Sequence, residues 1–180
     1  MFSFKVNDQI ELELMQHHHK GELYDLIDSN RQHLRQWMLW VDKRNAVSDL
    51  DAVIPIWLHN YADNNGFDAG IRYNGKLVGM IALQKIDWKN SKTSLGYFLA
   101  QEAQGKGIIT KAITALLPYI FQTLKLNRVE IHCAQSNTKS LAIPERLGFQ
   151  KEGIQKEGQW LYDHYEDIVL YRLLAKDWKK

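Results

Sequence analysis

The chain has a single cysteine, Cys133, so no disulfide can form within it, and that composition fits a reducing compartment. It lacks any apolar run near the roughly 18–20 residues that a membrane helix requires. The opening segment, Met1-Phe2-Ser3-Phe4-Lys5-Val6-Asn7-Asp8, has no basic stretch followed by an apolar one, so it does not read as a signal peptide. An excess of one charge is missing too. Lys and Arg number 23 against 21 Asp and Glu, an interspersed net charge of +2, which argues against nucleic-acid binding through bulk electrostatics. With three prolines and no Gly-rich or low-complexity tract, nothing marks a linker. These absences predict one cytoplasmic domain over residues 1–180, with no membrane and no nucleic-acid partner.

What is present is ordinary for a globular protein: 45% hydrophobic, 24% charged and 11% aromatic residues. A chain of this length buries about 70% of its unfolded surface, enough for one full core. Three consecutive histidines, His17-His18-His19, point in different directions on any regular backbone and cannot form one metal face. They read as a solvated edge between strand and helix, and no metal is expected.

Ile10-Glu11-Leu12-Glu13-Leu14 alternates with period two and predicts a strand. Lys20 to Val41 is helical in character, with a break near Asp28-Ser29-Asn30, where capping residues cluster. Ser48 offers an N-cap for a helix to about Asn64, with Pro55 inside it. Phe67 to Tyr73 and Lys76 to Ile86 are strands joined by Asn74-Gly75, a hairpin signal, and Thr93 to Leu99 is a third. Ile109, Ala112, Ile113, Leu116, Leu117, Ile120, Phe121 and Leu124 then recur at spacings of three and four. That stripe predicts a helix, kinked at Pro118. Arg128–Ala134 reads as a strand, Lys139–Leu147 as a helix with Gly148 as its C-terminal cap, and Phe149–Ile154 and Asp167–Leu174 as strands. The plan is α+β, a mixed α/β arrangement.

The most informative segment runs from Tyr97 to Thr110. A strand enters a loop, Gln104-Gly105-Lys106-Gly107, and a helix begins directly at Ile108-Ile109-Thr110. Free N–H groups and the positive helix end make such a loop an anion site, and glycine lets a phosphate approach the backbone. The segment matches neither GxxxxGK[ST] nor GxGxxG.

Together with Asn137-Thr138-Lys139-Ser140, Glu145-Arg146-Leu147-Gly148-Phe149, the closing Asp167–Leu174 and the early Asn30–Trp37, the loop resembles the Gcn5-related N-acetyltransferase (GNAT) superfamily, in its RimJ/RimL-type ribosomal-protein branch. The resemblance implies a twisted, mostly antiparallel sheet of about seven strands flanked by helices. It implies acetyl-CoA as co-substrate, held by Phe98, Leu99, Gln104, Gly105, Lys106, Gly107, Ile108, Ile109, Thr110, Asn137 and Ser140. Phe98-Leu99-Ala100 would splay from the neighbouring strand to offer backbone donors. The implied reaction is attack of a primary amine on the thioester, with a protein N-terminus such as that of a ribosomal protein as acceptor. Acetylation of a small amine (aminoglycoside, polyamine or amino acid) and a non-catalytic acyl-CoA sensor are the alternatives. Either a monomer or a homodimer is compatible.

Three positions depart from the family pattern. Ile109 replaces a Gly or Ala of the loop and would narrow the approach to the pyrophosphate. Pro144 stands where many members carry a tyrosine that protonates the leaving thiolate, which leaves Ser140 as the acid; a serine near a helix start is also a common cap. Gln159 replaces a glutamate base of some members. Glu157 is then the nearest alternative base, with Glu102 and Asp87 behind it. An α-amine, with a pKa near 7.7–8.0 against about 10.4 for lysine, tolerates that loss best.

For the acceptor, Trp37 and Trp40 would share a face if their helix continues, as core packing or as a cleft floor. Trp88 and Trp160 lie on loop-like segments and are further cleft candidates. Glu130 and His132 face away from the apolar Val129, Ile131 and Cys133, toward either substrate or solvent.

Overall fold

The computed structural model describes residues 3–179. Met1 and Phe2 of the opening segment and Lys180 at the end of the expected domain lie outside them. Eight strands among the described residues form one sheet: β1 (Ser3–Lys5), β2 (Ile10–Leu14), β3 (Phe67–Tyr73), β4 (Lys76–Leu83), β5 (Lys92–Leu99), β6 (Arg128–Ala134), β7 (Gln150–Leu161) and β8 (His164–Leu174). Their order is β1-β2-β3-β4-β5-β6-β8-β7, and every pairing is antiparallel except β5 with β6. The strand beyond the expected seven is β1, three exposed residues too short to show a period.

The break at Asn30 is real and has a cause. Helix α1 (Lys20–Ser29) ends there and α2 (Arg31–Arg35) begins, because the buried Asn30 side chain donates to the Leu26 carbonyl at 3.0 Å. Helix α2 then stops, and residues Leu39–Lys43 form a separate 3-10 turn. Trp37 and Trp40 therefore do not share a helix face, contrary to expectation. Nor does a helix start at Ser48. Val47–Leu50 is a 3-10 turn held by Asp49, whose carboxylate accepts from the Asn45 and Ala46 amides at 2.7 and 2.9 Å. Helix α3 (Ile54–Ala62) starts later, with Pro55 in its first turn, where a missing N–H costs nothing.

Helix α4 (Ile108–Pro118) buries Ile108, Ile109, Ala112, Ile113, Leu116 and Leu117. Each large side chain among them contributes roughly 1.5–3 kcal/mol when removed from water. At Pro118 the α ladder gives way to a π turn over Tyr119–Thr123, with the Leu124 amide donating to the Tyr119 carbonyl at 2.9 Å. The lost proline donor is the local reason. Helix α5 (Thr138–Arg146) packs against the face of β6 that carries Cys133 and the face of β8 that carries Tyr171.

The β7–β8 hairpin is much longer than the sequence suggests. Its arms reach Leu161 and His164, with an irregularity between Gln155 and Gln159 where Glu157 takes a left-handed φ of 50°. Residues Gln150–Glu157 are exposed, so no apolar period announced that the strand expected over Phe149–Ile154 runs on to Leu161. Of the three histidines, His17 and His18 are exposed, but His19 is buried beside Glu13, its Nδ1 accepting from the Gln16 amide at 3.1 Å. The solvated-edge reading thus fails for His19. Burial holds its pKa below the usual histidine range.

Candidate functional site

The site begins as a fault in the sheet. Strand β5 pairs with β6 over Lys92–Ser94 only, while Leu95–Leu99 stay in register with β4 and leave β6. The Gln84 amide donates to the Ser94 carbonyl and the Ala100 amide to Val78, which sets the alternation: Ser94, Gly96, Phe98 and Ala100 bond toward β4. The backbone groups of Tyr97 and Leu99 therefore face the gap. The amides of Phe98 and Ala100 do not, and the Phe98 ring instead packs on Trp40 with centroids 5.5 Å apart. Trp40 thus packs on a β5 side chain and is not among the residues that line the cavity described below.

At the open end of the gap lies the glycine loop. Gly105 and Gly107 adopt φ of 77° and 69°, a conformation that favours glycine, and a Cβ on either would meet nothing within 4 Å. The Lys111 amide is the first to bond back, to the Gly107 carbonyl at 3.0 Å. The N–H groups of Ile108, Ile109 and Thr110 consequently point out of the end of α4. The side chains of Ile108 and Ile109 are buried in the core, so Ile109 does not narrow the cradle, contrary to expectation. Cations surround it: Lys106 lies over the Tyr73 ring, Arg146 donates to Thr110 Oγ1 at 3.2 Å, and Lys139 donates to Gln104 Oε1 at 2.9 Å. An open backbone cradle at a helix N-terminus, ringed by Lys and Arg, fits a pyrophosphate-bearing coenzyme.

His33 ties the loop to the strand. Its Nε2 accepts from Gln104 Nε2 at 3.0 Å, which leaves the other ring nitrogen to donate to the Leu99 carbonyl. Burial, with Lys139 nearby, lowers its pKa and keeps it neutral. The Gln101 amide donates to Asn30 Oδ1 at 2.9 Å, anchoring the same loop to the α1–α2 break.

Beneath the gap sits Ser140. Its Oγ lies 3.2 Å from Cys133 Sγ and 3.4 Å from the Tyr97 hydroxyl. Burial raises the pKa of both neighbours, so thiol and phenol stay protonated at neutral pH. Ser140 is not the cap of α5: Asn137 is, its Oδ1 accepting from the Ser140 amide at 3.1 Å.

Beside Ser136, just past the end of β6, opens a cavity of about 520 Å³. One wall is Gln32, Arg35, Gln36 and Trp37; the other is Leu161, Tyr162, His164 and Glu166 from the hairpin tip. The tip is locked in place by Tyr162, which donates to the Met38 carbonyl at 3.1 Å and carries the Arg35 guanidinium 3.8 Å above its ring. Arg35 is also paired with Asp42 at 2.9 Å.

Of the residues singled out from sequence, Leu99, Gln104–Thr110, Asn137 and Ser140 gather around the gap and Trp37 lines the cavity. Others do not come there. Trp88 donates to the Asn64 carbonyl beside the Asp87–Lys92 bridge, at the closed end of β5. Glu130 is spent on Arg128 at 2.6 Å and His132 at 3.0 Å, within the paired part of β6. Trp160 stacks edge-on against Tyr165, both exposed on the outer hairpin face. Glu157 is exposed at the bulge, Glu102 faces Lys76 at 3.5 Å, and Asp87 is held by Asn90. None of these lines the cavity. The sequence reading missed Glu166 and His164, although the spacing His164-x-Glu166 puts both on one strand face. It also missed His33 and Tyr97, whose partners are distant in sequence.

No group of three or more His, Cys, Asp or Glu among the described residues could hold a metal ion, and none of their helices is long and apolar enough to cross a membrane. The family model described as "Acetyltransferase (GNAT) domain" matches residues 9–150. The chain is 41% identical to the "Putative ribosomal N-acetyltransferase YdaF" of Bacillus subtilis, over 99% of this chain and 98% of that protein. It is 31% identical to the ribosomal-protein-serine acetyltransferase of Escherichia coli, over 94% of each. The crystal structure of the microcin C7 self-immunity acetyltransferase MccE with acetyl-CoA and AMP superposes with a TM-score of 0.89, at 30% identity and over 95% of both chains. With most of its length matched, its parted strands and its glycine cradle, the chain belongs to the GNAT acetyltransferase family.

Proposed function

We propose that the protein transfers the acetyl group of acetyl-CoA to the α-amine of a protein N-terminus, with a ribosomal protein as the acceptor class. The observation that carries this reading is the convergence, at Ser136–Ser140, of the glycine cradle, the parted strands and a cavity of about 520 Å³. Coenzyme and acceptor would meet there from opposite sides. The names of the two ribosomal-protein relatives support the acceptor class. The work would be done in the cytoplasm, by one compact domain.

Bound acetyl-CoA supplies an activated acetyl group on a thioester. The chain supplies the rest. The amides at the start of α4 and the cations Lys106, Lys139 and Arg146 hold the pyrophosphate end. The Leu99 N–H, aimed into the gap, is placed to stabilise charge on the thioester oxygen, a contribution of about 3 kcal/mol for one oriented donor. Ser140 donates a proton to the departing sulfur. Its protonated neighbours Cys133 and Tyr97 hold the hydroxyl in place.

A thermal-shift titration with acetyl-CoA, CoA, ATP and NAD comes first. Binding at about 100 times Kd stabilises by roughly 2.7 kcal/mol. The expected result is a shift with the first two ligands alone. Thiol release is then measured with a peptide bearing a free N-terminal serine, with spermidine and with an aminoglycoside. Fastest turnover of the peptide supports the reading; turnover of a small amine alone changes the acceptor class. Coenzyme binding with no turnover across the panel would leave a sensor.

A further inference from the structure

We infer that Glu166 and His164, adjacent in the cavity wall, receive the acceptor's ammonium and take the proton that must leave it before attack. This rests on the acetyltransferase reading above. Glu166 is withdrawn, with 14% of its side chain exposed, while His164 is 56% exposed. Glu166 Oε1 accepts from Ser136 Oγ at 2.7 Å and lies 3.4 Å from His164 Nε2. Among the described residues no Lys or Arg pairs with Glu166, whereas Glu13 and Glu130 of the same sheet are spent on Arg72 and Arg128. A carboxylate without a cation, in the wall of a cavity next to Ser140's helix, is a seat for an incoming one.

The histidine is set for the proton. Its Nδ1 is 2.7 Å from Asp163 Oδ1, so that nitrogen carries hydrogen and Nε2 presents its lone pair toward Glu166. Two acceptors this close need a hydrogen between them, and an ammonium inserted there would donate to both. Asp163, and then Glu166, raise the pKa of His164, which suits a base working near neutrality. The charged groups facing the dyad from elsewhere are balanced. Arg35, across the cavity, is paired with Asp42, and Lys156 is paired with Asp167. Directly opposite Glu166 on β7 stands Gln159, which is neutral.

The protons balance as follows. The ammonium gives one proton to His164 Nε2, and the exposed ring later returns it to water. The amine nitrogen bonds to the acetyl carbon as the carbon–sulfur bond breaks, and the sulfur keeps that electron pair. The amine's second proton passes to water as the amide forms, while the sulfur takes the Ser140 hydroxyl proton and becomes the thiol, and water reprotonates Ser140 Oγ.

The test uses the full chain and a peptide with a free N-terminal serine. In His164→Gln, kcat/KM at pH 7 should fall about 100-fold. The deficit should close toward pH 9, where an α-amine of pKa about 8 is already neutral. Glu166→Gln should raise KM for the peptide about 10-fold and move the His164 ring titration, read by NMR, to lower pH. A second NMR readout is independent of turnover. The free-amine peptide should lower the His164 midpoint, and the same peptide acetylated at its N-terminus should not. An unchanged acetyl-CoA thermal shift in both variants shows that they fold. If wild type acetylates the peptide but His164→Gln loses equally at every pH, or not at all, the dyad is overturned and the acetyltransferase reading stands. If wild type acetylates none of the amine panel, both fall together.

Discussion

Ser140 is held from three sides: its amide by Asn137, its hydroxyl by Cys133 and Tyr97. Removing the hydroxyl leaves the cap of α5 intact, so Ser140→Ala should spare the fold. We expect kcat to fall about 10- to 100-fold while the acetyl-CoA Kd changes less than 2-fold, as for a group that acts mainly in the transition state. Wild-type turnover would remove Ser140 from the chemistry. Gly107 tests the other end of the site. Its φ of 69° costs a non-glycine residue about 1–2 kcal/mol, and a bulky side chain would fill the open space above the α4 amides. Gly107→Trp should therefore weaken acetyl-CoA binding at least 10-fold in calorimetry, and unchanged affinity would detach the loop from the coenzyme. These positions were readable in the sequence because each belongs to a local motif with a fixed spacing. The base was not. Glu157 is two residues from Gln159 in sequence, but the bulge turns it out to solvent, while Glu166 reaches the cavity only because β7 and β8 pair in the observed register.

The elements that position the site are joined by one buried side chain. Asn30 ends α1, starts α2, and accepts from the Gln101 amide 71 residues away. Asn30→Ala removes both bonds and leaves a partly buried amide without its partner, a cost of about 1–3 kcal/mol. It should also loosen the Gln101–Gly107 loop, so acetyl-CoA KM should rise severalfold in steady-state assays. A stability loss with unchanged KM would show that the loop holds its shape without α1. At this scale the sequence was most legible where an element is buried on one side. The α4 stripe and the β3–β4 hairpin at Asn74-Gly75 show their period plainly. The hairpin arms past Ile154 do not, since that strand lies at the sheet edge and is exposed through Glu157. Helix α2 misled for a different reason. Its composition continues to favour helix, but the turn over Gln36–Met38 is set by packing, with Tyr162 of the hairpin tip bound to the Met38 carbonyl.

Across the whole molecule the sheet distributes its buried charge unevenly. Glu13 is neutralised by Arg72, which also holds Glu22, so that end of the sheet gains an ion-pair network linking β2, β3 and α1. Asp68, on the same strand as Arg72, forms no ion pair among the described residues: it lines a second cavity of about 250 Å³ between α3 and the β3–β4 pair, with Asn60, Asn65, Gln84 and Lys85 also in the lining. Burial pushes its carboxyl up to about 6, against 3.8 when free. The folded state therefore holds the Asp68 proton more tightly than the unfolded chain does. Its contribution to stability is full below pH 3.8, declines as pH rises toward 6, and is absent above that. At 1.36 kcal/mol per unit, the ionised group costs on the order of 2–3 kcal/mol at pH 7.5. Asp68→Asn removes the charge while keeping the shape, so urea unfolding at pH 7.5 should show the variant more stable by about that amount. At pH 5 the gain should shrink to roughly 1.5 kcal/mol, because the pH is then only about one unit above the pKa of the unfolded carboxyl. A gain of equal size at both pH values would mean that the aspartate's shape, and not its charge, strains the sheet.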